Sequence, residues 1–212
     1  MEQFETEEQQ VEAIKKFWQE NGNYIISGLV VGFAGFIGFN YYQDTKLAQE
    51  EAVASEYTAL LESKDTDNEA FKTDADKFIQ ANSESSYASL TAFSLAKDAV
   101  EREDYEKAVA FLNTAIEKAP TDAIKAIAVI RLARVQIQLG EFDTALATVG
   151  QPLPEGFKAS AEEIKGDAYL KQGKKELARN AYQAAIDADG LATNPTLQVK
   201  IDDLAQATNL TQ

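Results

Sequence analysis

Residues 24 to 42 read YIISGLVVGFAGFIGFNYY, and no charged side chain occurs between Glu20 and Asp44. A helix over this stretch rises about 28 Å, enough to cross the hydrocarbon core of a bilayer. An apolar run of this length has no polar face to offer water, so it reads as a single transmembrane helix. Trp18 and Tyr24 stand at one end and Tyr41 and Tyr42 at the other, where amphipathic rings favour the headgroup zone. A removable signal peptide has a basic start, a shorter apolar core and a small-residue cleavage site. Here the start is acidic and the run closes on Phe39, Asn40, Tyr41 and Tyr42, so the anchor is expected to be retained. Lys15 and Lys16 precede the span and only Lys46 follows it closely. The positive-inside count therefore puts the N-terminus in the cytoplasm, by a margin of one, and exports the larger C-terminal part. In a Gram-negative cell that part would lie in the periplasm.

Gly28, Gly32 and Gly35 share one face of this helix. Small residues at such spacing let a second helix approach closely, although glycine is frequent in spans for other reasons. Ahead of the span, Val11, Ile14, Phe17 and Trp18 share a helical face and Asn21-Gly22 supplies a stop, which predicts a short amphipathic helix at the inner surface. The acidic stretch from Glu2 to Glu8 reads as a solvated tail that could also serve as a docking peptide.

The chain contains no His and no Cys. Without imidazole or thiol there is no Ser-His-Asp triad, no Cys nucleophile, no thiolate zinc site and no two-His iron site. Enzymatic chemistry is left with carboxylate pairs, and the nearest candidates, Asp202-Asp203 and Asp187 with Asp189, are not flanked by an obvious pocket-forming loop. The expectation is a protein that is not an enzyme, with no cofactor and no metal. A formal charge of −15 disfavours nucleic acid, whose binding depends on Lys and Arg neutralising phosphates. The same charge favours basic partners over a screening distance of about 8 Å.

Beyond Asp44 the sequence is alanine-rich, with helical periodicity and no sustained alternation of apolar and polar residues. Three segments repeat one pattern: a small residue in a first helix, a turn, then a small, a large and a small residue spaced along a second helix. Leu95-Ala96 lead to Asp104-Tyr105, Ala108, Leu112, Ala115 and Pro120. Leu132-Ala133 lead to Gly140, Phe142, Ala145 and Val149. Gly166 and Tyr169 lead to Gly173, Ala178, Tyr182 and Ala185. This is the tetratricopeptide pattern. The fold class is therefore all-α, a single transmembrane helix followed by a tetratricopeptide-repeat-like helical solenoid. Hairpins are predicted at about 86 to 119, 123 to 149 and 159 to 188, with a closing helix at 196 to 207. Glu103 stands where Gly is usual, residues 151 to 156 (QPLPEG) interrupt the period, and Lys165 replaces an apolar residue. Residues 46 to 82 hold two further helices split by the polar stretch 63 to 68. They read as a degenerate first hairpin or as a stalk. Asp65, Asp67 and Glu69 resemble half a calcium loop but lack its Gly and closing Glu, which leaves a plain loop. The organisation is thus a cytoplasmic tail (1 to 23), the span (24 to 42), a stalk or degenerate hairpin (43 to 85) and the repeat domain (86 to 212).

Three strings go further than generic repeat positions: QVEAIKKFWQENG (10 to 22), RLARVQIQLG (131 to 140) and IKGDAYLKQGKKELARNAY (164 to 182). With the glycine-rich span they make the chain resemble the YfgM-like ancillary SecYEG translocon subunits over nearly its whole length. That resemblance implies a single-pass inner-membrane protein with a periplasmic repeat domain, associated with the SecYEG translocon. It implies a role in passing exported polypeptides to periplasmic chaperones, in company with a membrane-anchored chaperone of the PpiD type. It also implies an Rcs-type stress regulator as a partner of the cytosolic tail. Membrane lipid is the remaining partner. The rival reading is an envelope scaffold or assembly factor for another inner-membrane complex.

Solenoids of this kind bind proteins on the face lined by the first helix of each hairpin. Projecting the repeat offsets puts Phe93, Lys97, Ile130, Arg134, Asp167 and Leu170 toward that face. For Phe93, Ile130 and Leu170 the competing role is packing between hairpins. For Lys97, Arg134 and Asp167 it is solvated charge or an ion pair within the domain.

Overall fold

The computed structural model describes residues 7 to 66 and 68 to 209, with the side chains of 7 to 8, 64 to 69, 193 and 205 to 209 left aside. The acidic tail and the half calcium loop at Asp65, Asp67 and Glu69 therefore lie outside the described side chains. The described residues form helices and connecting turns, with no strand among them. The chain divides into two compact units, Met1–Ala52 and Val53–Gln212.

In the first unit the described residues belong to one helix, α1 (Glu7–Thr66), which continues into the second unit. It carries the one stretch among the described residues long and apolar enough to cross a membrane, with a mean hydropathy of 1.6. The expected stop at Asn21-Gly22 does not end the helix. Asn21 Nδ2 donates to the Phe17 carbonyl at 3.1 Å, so its side chain reinforces the helix it was expected to leave. An interior glycine costs only about 1 kcal/mol, which the apolar helix on either side outweighs. A Cβ placed on Gly28, Gly32 or Gly35 would meet open space.

The second unit begins within the last turns of α1. Then follow α2 (Asn68–Ala81), α3 (Ser86–Glu101), α4 (Tyr105–Glu117), α5 (Asp122–Gln138) and α6 (Phe142–Val149). A short 3-10 turn (Glu155–Phe157) leads into α7 (Lys158–Lys171), α8 (Lys175–Asp187), α9 (Gly190–Thr193) and α10 (Thr196–Asn209). Helices α3 and α4, α5 and α6, and α7 and α8 pair as hairpins, and each hairpin packs on the next. Side-chain oxygens start the helices: Ser85, Asp104 and Thr121 accept from the backbone N–H groups of Tyr87, Lys107 and Ile124, the ordinary device for satisfying a first turn. The small residues are where close crossing needs them, since Ala108, Ala145, Ala178, Ala115 and Ala185 are all fully buried.

One turn recurs three times. Glu103, Gly140 and Gly173 have φ values of 60°, 77° and 75°. Behind each of them the next N–H donates back to the carbonyl five residues earlier at 2.9 Å: Asp104 to Ala99, Glu141 to Gln136, Lys174 to Tyr169. This closure demands a left-handed residue, which glycine supplies without a Cβ penalty. Glu103 adopts it regardless, because the packing of α3 on α4 dictates the geometry of the turn between them. Glu103→Gly is expected to stabilise the repeat unit by up to about 1 kcal/mol, read as a higher urea midpoint; a lower midpoint would show that the glutamate contributes more than it strains.

Residues 53 to 81 share the core of the first hairpin. Leu60, Phe71, Ala75, Phe78 and Ile79 are buried in one cluster with Leu95, Leu112 and Ala115, and Val53, Tyr57 and Leu61 pack against it. Tyr57 contacts Phe78 and Tyr87 with ring centroids 6.2 and 4.9 Å apart.

Candidate partner-binding surface

Helices α3, α5 and α7 open the three hairpins, and Ala96, Ala133 and Gly166 are equivalent, each at the same distance before its left-handed turn. Counting from them, Phe93, Ile130 and Glu163 form one equivalent set, and Lys97, Arg134 and Asp167 another. The first set is buried throughout, at 9%, 6% and 8% exposure. Phe93 and Ile130 thus belong to the cores of the first and second clusters, which packed hairpins close over them. The second set diverges. Lys97 is exposed and pairs with Glu101 at 3.6 Å, and Arg134 is exposed with no carboxylate partner among the described residues. Asp167 accepts from Tyr182 Oη and from Lys200 Nζ, both at 2.7 Å. Leu170 is 39% exposed.

Arg131, one turn before Arg134, was not singled out by the repeat offsets. Its guanidinium lies over the Phe93 ring at 4.8 Å from the centroid, which ties α5 to α3.

The third hairpin holds a polar cluster that sequence reasoning missed. Lys200 of α10 reaches Glu163 at 2.8 Å and Asp167 at 2.7 Å, and stands 5.3 Å from the centre of the Tyr182 ring. Asn194 Nδ2 also donates to Glu163, at 2.7 Å. Burial opposes the charge on Lys200, but the hydrogen bonds and attraction from Asp167 and Glu163 outweigh it and hold the ammonium above its ordinary pKa. Burial, and then the bond to Asp167, push the Tyr182 phenol well above its ordinary value. Lys200 lies 37 residues from Glu163 and 33 from Asp167 in sequence, so only the packing of α10 brings it to them.

The chain matches the family described as tetratricopeptide repeat-like domain over residues 15–206. It is 33% identical over 210 residues to the ancillary SecYEG translocon subunit of Escherichia coli K12, covering 97% of this chain and 100% of that protein. It is 32% identical over 198 residues to the Haemophilus influenzae protein of the same name, covering 93% and 97%. The chain belongs to the ancillary SecYEG translocon subunit family.

The carboxylates considered for catalysis are solvated: Asp187 and Asp202 accept from Gln183 and Gln198 of their own helices at 2.9 and 3.0 Å, and Asp189 and Asp203 are exposed. Among the described residues no group of three or more acidic side chains is placed to hold a metal ion.

Proposed function

We propose that this chain is a single-pass inner-membrane accessory of the Sec translocon. Its N-terminus is cytoplasmic, and its periplasmic repeat unit binds other proteins without catalysing a reaction. The observation that carries this reading is the end-to-end match to proteins named ancillary SecYEG translocon subunits. The apolar stretch of α1 and the repeat-like fold support it, since stacked hairpins present long surfaces for polypeptides. In this reading α1 packs on translocon helices through Gly28, Gly32 and Gly35. The faces of α3, α5 and α7 engage exported chains or a membrane-anchored chaperone of the PpiD type. Residues 53 to 81 act as a first, degenerate hairpin of the stack.

The test is photo-crosslinking in intact cells from probes at Gly28, Arg134 and Leu170, with the captured proteins identified. Translocon subunits from Gly28, and a periplasmic chaperone or exported chains from Arg134 and Leu170, are the expected products. The compartment of whatever Arg134 captures reports the orientation, and a cytoplasmic catch would reverse it. Recovery only of unrelated envelope machinery would replace this reading with that of a scaffold or assembly factor.

A further inference from the structure

Within a chain of net charge −15, Arg131 and Arg134 stand one turn apart on α5, both exposed and neither with a carboxylate partner among the described residues. Arg131 is held in place by stacking on Phe93. A stacked guanidinium keeps its N–H edges directed outward, and that planar fork matches a carboxylate. Phe93 and Lys97 lie four residues apart on α3 and so share a face, and the exposed Lys97 pairs with Glu101 at 3.6 Å.

The third hairpin shows what the Arg134 position accepts, while the residue equivalent to Arg131 there is the fully buried Ile164. The equivalent of Arg134 is Asp167, and the group it receives is Lys200, carried by the segment that follows the hairpin. That position takes a side chain of opposite charge from an added segment. At Arg134 the sign is reversed, and the described residues supply no acid.

We propose that Arg131 and Arg134 dock an acidic segment of a partner protein, its carboxylates received by the two guanidinium edges. This deepens the proposed function and rests on its assignment of the first-helix face as the binding surface. It also runs against the expectation from net charge, since a local pair of cations outweighs a distant negative excess once separations exceed the screening length of about 8 Å.

The experiment uses the full chain in neutral detergent micelles and a fluorescein-labelled peptide of alternating Glu and Leu, with Lys/Leu and Gln/Leu peptides alongside, read by fluorescence anisotropy. The Glu peptide should bind most tightly and weaken as salt is raised. Arg131→Gln with Arg134→Gln should reduce its affinity about tenfold, and Arg134→Gln alone about threefold, as expected for exposed charge pairs. Lys171→Gln with Lys175→Gln, on the turn of the third hairpin, should change nothing. Arg134→Gln has no packing role, so its unchanged thermal unfolding separates binding from folding. Equal binding by wild type and the double variant, no preference for the Glu peptide, or loss confined to the Lys171/Lys175 variant would each overturn the proposal. So would a self-association, seen by light scattering, that the double variant abolishes, because the occupant would then be a second copy. If Arg134 crosslinks to chaperone or exported chains while the Glu peptide is indifferent, the proposed function stands and this inference falls. Peptide binding without such crosslinks gives the reverse.

Discussion

Tyr182→Ala is expected to lower the unfolding free energy of the repeat unit by about 4 kcal/mol, the range for emptying a large aromatic site in a core. The ring is fully buried and lies over Gly166, where a Cβ would fall 2.4 Å from the ring carbons Cδ1 and Cε1. Its hydroxyl donates to Asp167 at 2.7 Å. Glycine in the middle of α7 makes sense only through this ring: a methyl at 166 would need space that Tyr182 fills. Gly166→Ala alone should therefore cost about 2 kcal/mol through overpacking. In the Tyr182→Ala background the same change should be neutral or stabilising, because the methyl enters vacated space and alanine favours the helix by about 1 kcal/mol. Urea titrations of the full chain in mild detergent, followed by circular dichroism, would give the four corners of the cycle. Equal cost of Gly166→Ala in both backgrounds would refute the coupling.

Lys200→Met should cost about 2 kcal/mol. Removing one partner of a fully buried ion pair costs about 3 to 5 kcal/mol, and the figure is reduced here because the side chains of Lys200, Glu163 and Asp167 retain 28%, 11% and 33% exposure, where solvent screens the pair. The cluster also sets an alkaline limit. The folded state holds Lys200 charged and Tyr182 protonated beyond their ordinary values. Each contribution is fully present below the unfolded-state pKa and is lost as pH rises through the folded one. Stability should therefore be flat through neutral pH and fall above about pH 10. Lys200→Met and Tyr182→Phe should each make that fall shallower. A wild type with no alkaline decline, or variants that reproduce its slope, would show that the cluster does not govern it.

The two experiments probe parts of the protein that were unequally legible in the sequence. The repeat was plain in Ala108, Ala145 and Ala178, because two helices that cross closely admit only a small side chain, and that demand recurs at a fixed offset. The turns between paired helices were plain at Gly140 and Gly173. At Glu103 the turn survives without its glycine, since the packing of α3 on α4 imposes its geometry. The continuity of α1 past Asn21-Gly22 was not legible, because a stop signal is local and a helix ends only when its surroundings favour ending it. Nor was the packing of Tyr57, Phe71 and Phe78 into the first hairpin's core, since these aromatics follow no repeat offset.

The projected binding face divides along the same line. Phe93, Lys97, Ile130, Arg134, Asp167 and Leu170 lie on the first helices of the hairpins, but an offset defines a direction around a helix and not what stands there. The neighbouring hairpin buries Phe93 and Ile130, and α10 brings Lys200 onto Asp167. The sequence by itself determined the apolar span, the helical class and the period of the stack, because each follows from interactions between residues a few positions apart. Tertiary structure alone decided which charges remain unmatched on the surface, because pairing depends on segments that meet only after the hairpins have packed.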